Sequence, residues 1–161
     1  RLGVHTEPFA IDVAMIQHHF STGFRAEVSR THAGTFPALA ESYDPNVAAK
    51  LADARGITPA QYAAAMDALA QQRGAVLDAM DTAGLDAFIT RTLGGAVPRA
   101  DTDELAYRDE LTWYVGAFSA LNLPALAIGN LQIVGRTESD VLALGRALET
   151  GGLTATAAPL S

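Results

Sequence analysis

Leu121-Asn122-Leu123-Pro124-Ala125-Leu126-Ala127-Ile128-Gly129-Asn130-Leu131-Gln132-Ile133-Val134-Gly135 is the stretch on which the fold turns. Its two apolar runs, Pro124 to Ile128 and Leu131 to Gly135, have the length of strands rather than of helices. Gly129-Asn130 between them fits a two-residue hairpin turn joining antiparallel strands. Gln132 alone breaks the apolar character, and its carboxamide needs partners if the strand is buried.

Downstream, Thr137-Glu138-Ser139-Asp140 forms a capping box for a helix that carries Val141, Leu144 and Leu148. A polar tail, 151–161, follows from Gly151-Gly152. Upstream, Leu85 to Thr90 reads as a third short strand, placed after a long helix that ends near Gly84. That helix opens on the capping box Thr58-Pro59-Ala60-Gln61, and Tyr62, Ala65, Met66, Leu69, Val76, Leu77 and Met80 share one face of it. Tyr62, Met66 and Met80 are expected in the core.

Between the third strand and the hairpin, Gly94 to Asp103 has loop composition. Glu104 to Leu121 resumes helical spacing through Leu105, Leu111, Val115 and Phe118, with Trp113 and Tyr114 side by side. Towards the N-terminus, Asp44-Pro45 caps and opens a helix that Gly56 stops. Thr31 to Tyr43 is a loop, and Pro8 to Arg30 has helical spacing through Ile11, Ala14, Met15, His18 and His19.

This order of elements is that of an α/β layer arrangement, with 1–150 as a single domain or partial domain. Three strands make a thin sheet, and central apolar strands leave costly unpaired edges, so the strands are expected to belong to a larger sheet. The first residue is Arg1 rather than Met, and a preceding segment is expected.

Composition narrows the function. Of 161 residues 49% are hydrophobic, and the formal charge is -7 with Lys50 the single lysine. Scattered basic residues in an acidic chain argue against nucleic acid and against a membrane surface. No apolar run approaches the ~20 residues of a membrane span, and the N-terminus lacks a signal-peptide pattern, so a cytoplasmic protein is expected. With no cysteine, disulfides, thiolate chemistry and Cys-ligated metals are excluded. His18, His19, His32 and Glu27 lack the i, i+4 spacing of a helical metal site, so surface or packing roles are expected for them, with no metal and no cofactor.

Tyr43-Asp44-Pro45, Ile57-Thr58-Pro59-Ala60-Gln61-Tyr62, Asp86-Ala87-Phe88-Ile89-Thr90, the hairpin stretch and the closing helix ending at Glu149 follow one another in an order and spacing that resemble the C-terminal region of amidase-signature hydrolases. The resemblance runs from Tyr43 to Glu149. It implies helices packed on part of a large mixed sheet in an enzyme that hydrolyses carboxylic amides with a Ser nucleophile, a second Ser and a Lys. Those three belong to an N-terminal Gly/Ser-rich region that nothing here matches, so no catalytic residue is assigned. The implied partner is the catalytic N-terminal portion of an amidase, with a small amide as substrate; the alternative, a stand-alone non-catalytic binding or assembly module derived from that fold, predicts a solitary fold or a homo-oligomer in which like edges pair.

Two departures stand out. The family continues its buried strand with Pro then Thr, where this chain has Arg91-Thr92. The family also carries a Gly- and Pro-containing loop near the substrate pocket, where this chain has only Gly129-Asn130; either a tight turn replaces the loop or residues are absent from this sequence.

Three residues are candidates for substrate binding. Arg73 interrupts the apolar stripe of the long helix, where a buried guanidinium needs a partner, and the family often has an Arg near this point. It is either a structural ion pair or a contact to the substrate's polar end. Arg91 sits at a strand end, where ligand sites gather in α/β sheets, or is a solvated loop residue. Gln132 lines the pocket of the complete enzyme or bonds to a neighbouring loop. Asn122, before Leu123-Pro124, is read as capping the helix end.

Overall fold

Short-range polar signals set most element ends. Thr58 and Gln61 form the reciprocal capping box that starts a helix at Pro59, and Gly84 closes it in the left-handed conformation at φ 65°. There the Leu85 N–H donates to the Met80 carbonyl and the Gly84 N–H to that of Asp81, a Schellman stop. Asp44 accepts from the Asn46 N–H and has Pro45 behind it. Thr137 and Asp140 form a second reciprocal box.

The computed structural model describes residues 7–99, 101, 102 and 104–152. In chain order these form α1 (Val13–Thr31), α2 (Pro45–Ala54), α3 (Pro59–Ala83), β1 (Ala87–Arg91), α4 (Glu104–Ala120), β2 (Ala125–Ile128), β3 (Leu131–Gly135) and α5 (Glu138–Thr150), with a 3-10 turn at Ala40–Ser42. The opening residues 1–6, the tail beyond Gly152 and the Leu105 side chain lie outside the described residues.

Three boundaries differ from the sequence reading. Helix α1 starts at Val13, because Asp12 accepts a hydrogen bond from the Met15 N–H and so acts as the N-cap, leaving Pro8 to Ile11 outside. Helix α2 stops at Ala54 with Arg55 as its cap, one residue short of expectation. The third strand begins at Ala87 rather than Leu85. Asn122 adopts a left-handed φ of 50°. It closes α4 as Gly84 closes α3, with Leu123 and Asn122 N–H groups on the Phe118 and Ser119 carbonyls.

The sheet order is β1-β3-β2, and both pairings are antiparallel. Strands β2 and β3 are joined by the expected turn. Gly129 has φ 60°, as the first central residue of a type II′ turn requires. Facing residues in the register point to the same side of the sheet. Phe88, Val134, Thr90 and Gln132 therefore share one face; Ile89, Ile133, Leu126 and Ile128 share the other.

Each face packs against a different layer. On the first, Phe88 and Val134 join Ile16 of α1, Leu69 and Met80 of α3 and Phe118 of α4 in the main core. On the second, Ile128 and Ile133 meet Val141 and Leu148 of α5 in a smaller core. The result is an α/β/α arrangement, helices on a three-stranded piece of sheet.

Two glycines permit close approaches. A Cβ on Gly116 of α4 would lie 2.8 Å from the Phe20 ring of α1, and one on Gly145 of α5 would lie 2.4 Å from a Leu126 methyl. At the α1–α4 crossing the Gln17 amide donates to the Thr112 carbonyl at 2.6 Å and also to that of Trp113. Arg136, just past β3, donates to the Leu85 carbonyl at 3.0 Å and pairs with Asp81, tying the sheet to the end of α3.

On α3, Ala65, Leu69, Val76 and Met80 are buried. Met66 is 39% exposed, a correction to its expected core place. Tyr62 lies at the surface edge, its hydroxyl donating to Glu27 and its ring stacked under the Arg30 guanidinium. Among the described residues no helix is long and apolar enough to cross a membrane.

Candidate functional site

A groove of about 700 Å³ runs along β1. Ala87, Phe88, Ile89 and Thr90 all line it. Successive strand residues point to opposite faces, so a groove bordered by four in a row faces the backbone edge of β1 rather than one side of the sheet. One wall carries Phe9, Trp113 and Tyr114; Leu144 of α5 contributes to the other. Phe9 and Phe88 are in ring contact at 5.4 Å between centroids.

Hydrogen-bond parity shows which backbone groups the edge presents. The Thr92 N–H donates to the Asn130 carbonyl at 3.0 Å and the Arg136 N–H to the Asp86 carbonyl at 3.4 Å. With the observed register, even-numbered residues of β1 therefore exchange bonds with β3. The N–H and C=O groups of Ala87, Ile89 and Arg91 point away from β3, toward the open side. Ile89 is 41% exposed.

Glu7, Asp12 and Thr90 are polar members of the lining. The Asp12 carboxylate is already committed to capping α1. The lining includes neither Ser nor Lys, so it offers no hydroxyl nucleophile beside an amine base. What it can do is receive an extended segment along a lining that mixes apolar, aromatic and polar groups.

The three residues singled out in the sequence do not converge. Arg73 is exposed on α3, with no ion pair among the described residues. Arg91 is exposed at the last position of β1, opposite Leu131. Gln132 is 4% exposed on the central strand, between Thr90 and Ala127. Its Oε1 is buried without a hydrogen-bond partner among the described residues. None of the three lines the groove.

The histidines behave as packing and surface groups. The His32 Nδ1 is 2.9 Å from the Tyr43 hydroxyl, and the His18 and His19 rings touch edge to face. Among the described residues no group of three or more His, Cys, Asp or Glu could hold a metal.

A crystal structure of an amidase superposes with a TM-score of 0.70 at 22% identity, over 88% of this chain and 36% of that one. The fold is that of one part of an amidase. No family model and no curated protein matches the sequence. The chain thus spans about a third of the amidase it overlays.

The sequence reading missed the groove. Its walls are side chains from the segment before α1, from α4 and from α5, brought together only by the fold. The adjacent Trp113 and Tyr114, on a helix face less apolar than that of α3, were the available signal. Both are half-buried at the groove.

Proposed function

We propose that this chain is the C-terminal portion of an amide hydrolase whose Ser-Ser-Lys catalytic set is supplied by a preceding segment or a partner chain. The observation that carries the reading is the asymmetric overlap: nearly all of this chain lies on an amidase fold, and it occupies 36% of that fold. The outer edge of β1, which no strand pairs among the described residues, and the Gln132 carbonyl, which has no hydrogen-bond partner among them, support it, because both are groups that further polypeptide or substrate satisfies.

In this reading the substrate is a small amide. Gln132 and Arg91, at the hairpin end of the sheet on its opposite faces, and Arg73 on α3 each present a polar group to it or to the catalytic portion. The assembly works in the cytoplasm and needs no cofactor. The two-residue Gly129-Asn130 turn favours a second reading, a non-catalytic binding or assembly module derived from the same fold, since it leaves no loop beside the pocket.

Native mass by light scattering, with denaturing intact-mass spectrometry and an amide-hydrolysis assay, separates these. A second polypeptide bearing Ser and Lys, in an assembly that turns over amides while the purified 161-residue chain does not, is the expected result. A lone chain or homo-oligomer, inactive on amides, moves the assignment to the non-catalytic module.

A further inference from the structure

A second concavity lies away from β1, where the end of α1 meets the end of α2. Its volume is about 160 Å³, and Ser29, His32, Phe36, Leu51 and Arg55 are among the residues that border it. We propose that this pocket binds a small carboxylate with a short hydrocarbon tail, the charge held by Arg55 and His32 and the tail by Phe36 and Leu51. The proposal stands apart from the hydrolase reading and holds whichever polypeptide accompanies this chain.

The imidazole is positioned from its far side. His32 Nδ1 lies 2.9 Å from the Tyr43 hydroxyl, which also bonds to the Thr35 hydroxyl. The Tyr43 ring meets both His32 and Phe36 edge to face. Tyr43 does not border the pocket, so the bonded edge of the imidazole turns away from it and Nε2 is the nitrogen left for a ligand. With Tyr43 donating to Nδ1 and accepting from Thr35, Nε2 carries the ring proton and is a donor; in the imidazolium it is a donor as well.

Arg55 caps α2, and its side chain is exposed. The nearest carboxylate in sequence, Asp53, is committed to Arg25 of α1, and Arg55 has no ion pair among the described residues. Its guanidinium is therefore available over the mouth of the pocket.

Two effects of opposite sign meet here. Helix C-termini by themselves favour cations, because their last carbonyls lack N–H partners. At both helix ends those carbonyls are in use: Val28 and Arg30 accept from the His32 and Ala33 N–H groups, and Asp53 and Ala54 from those of Gly56 and Ile57. The pocket wall contains no Asp or Glu, so the side chains decide the sign. In a chain of formal charge -7, a wall with a guanidinium, an imidazole and the Ser29 hydroxyl selects an anion.

The floor then selects among anions. Leu51 is 1% and Phe36 9% exposed, both part of the buried apolar set. The volume has room for about five water-sized groups, the size of propionate. A carboxylate matches the fork of Arg55 and accepts from Nε2, while its tail covers the apolar floor. Inorganic phosphate matches the donors but sets polar oxygens against that floor, which costs binding.

The test is titration of the natively purified protein with sodium propionate at fixed pH and ionic strength, read by NMR on isotope-labelled histidine. The His32 signals are those that His32→Phe removes. They are expected to shift saturably, with a Kd on the order of 1 mM for a ligand of this size. Arg55→Gln, at an exposed position that carries no packing, is expected to weaken binding about 10-fold or more by removing a charge-assisted pair. Propionamide, of the same shape without the charge, and inorganic phosphate are each expected to bind at least about 10-fold more weakly than propionate.

No saturable shift by about 20 times that propionate concentration overturns the proposal, as does an Arg55→Gln protein that binds propionate as tightly. Propionamide binding equal to that of propionate overturns it by taking charge out of the recognition. Phosphate binding equal to that of propionate overturns it too, by leaving the apolar floor without a role.

Discussion

The two faces of the sheet are finished to different degrees. One is covered by α1, α3 and α4, whose buried side chains enclose Phe88 and Val134. Among the described residues the other is covered by α5, with Ile128, Ile133, Val141 and Leu148 buried there. Three strands about 4.8 Å apart span roughly the width of one helix with its side chains. A single helix centred over β2 and β3 therefore covers β1 only in part: Ala87 packs against the smaller core while Ile89 stays exposed.

Phe118→Ala strikes the finished face hardest. Phe118 is 1% exposed and packs edge to face on Phe88, so its truncation is expected to cost about 3–5 kcal/mol in urea unfolding. A loss below 1 kcal/mol would mean that the three-helix layer is not the main core. Gly145→Val probes the thinner face: the new side chain meets Leu126, and the expected cost is about 1–3 kcal/mol. Loss of ordered Val141 and Leu148 methyl signals, with Phe118 unchanged, would show that the two cores yield separately. Ile89→Thr in the isolated chain is expected to change stability by less than about 0.5 kcal/mol. A larger penalty would place Ile89 in a contact that the comparison of faces denies.

What could be read in the sequence was local. Thr58 with Gln61, Asp44 with Pro45, Thr137 with Asp140, and Gly129 at the hairpin each act over four residues or fewer, so their patterns survive without knowledge of the fold. Asn122 as a helix stop belongs with them. Asp12 is just as local, yet was passed over because apolar spacing continued upstream of it to Pro8. The Gln17 bonds to α4 and the link from Arg136 to Leu85 and Asp81 join residues far apart in sequence, and no spacing rule announces them. Met66 was read into the core because its helical phase is right; its neighbours on that stretch of α3 do not cover it.

For the candidate site the position was harder still. Arg73 stands close to the phase of Leu69 and Val76, yet it is exposed. Gln132 was recognised as an anomaly in an apolar strand, and the structure leaves its carbonyl without a partner. The groove itself is made by an edge, and edges are defined by which strands are absent, which is information a periodicity does not hold.

The hairpin tip has a practical consequence. Ile128 and Leu131 already face each other in the ladder, so register is fixed before the turn begins, and Gly129 and Asn130 are both exposed. Lengthening the connection from two residues to eight costs about 1.2 kcal/mol in closure entropy, two doublings of loop length. The tip is thus a graft point beside Arg91 and Thr92, where a recognition segment can be inserted without rethreading the sheet.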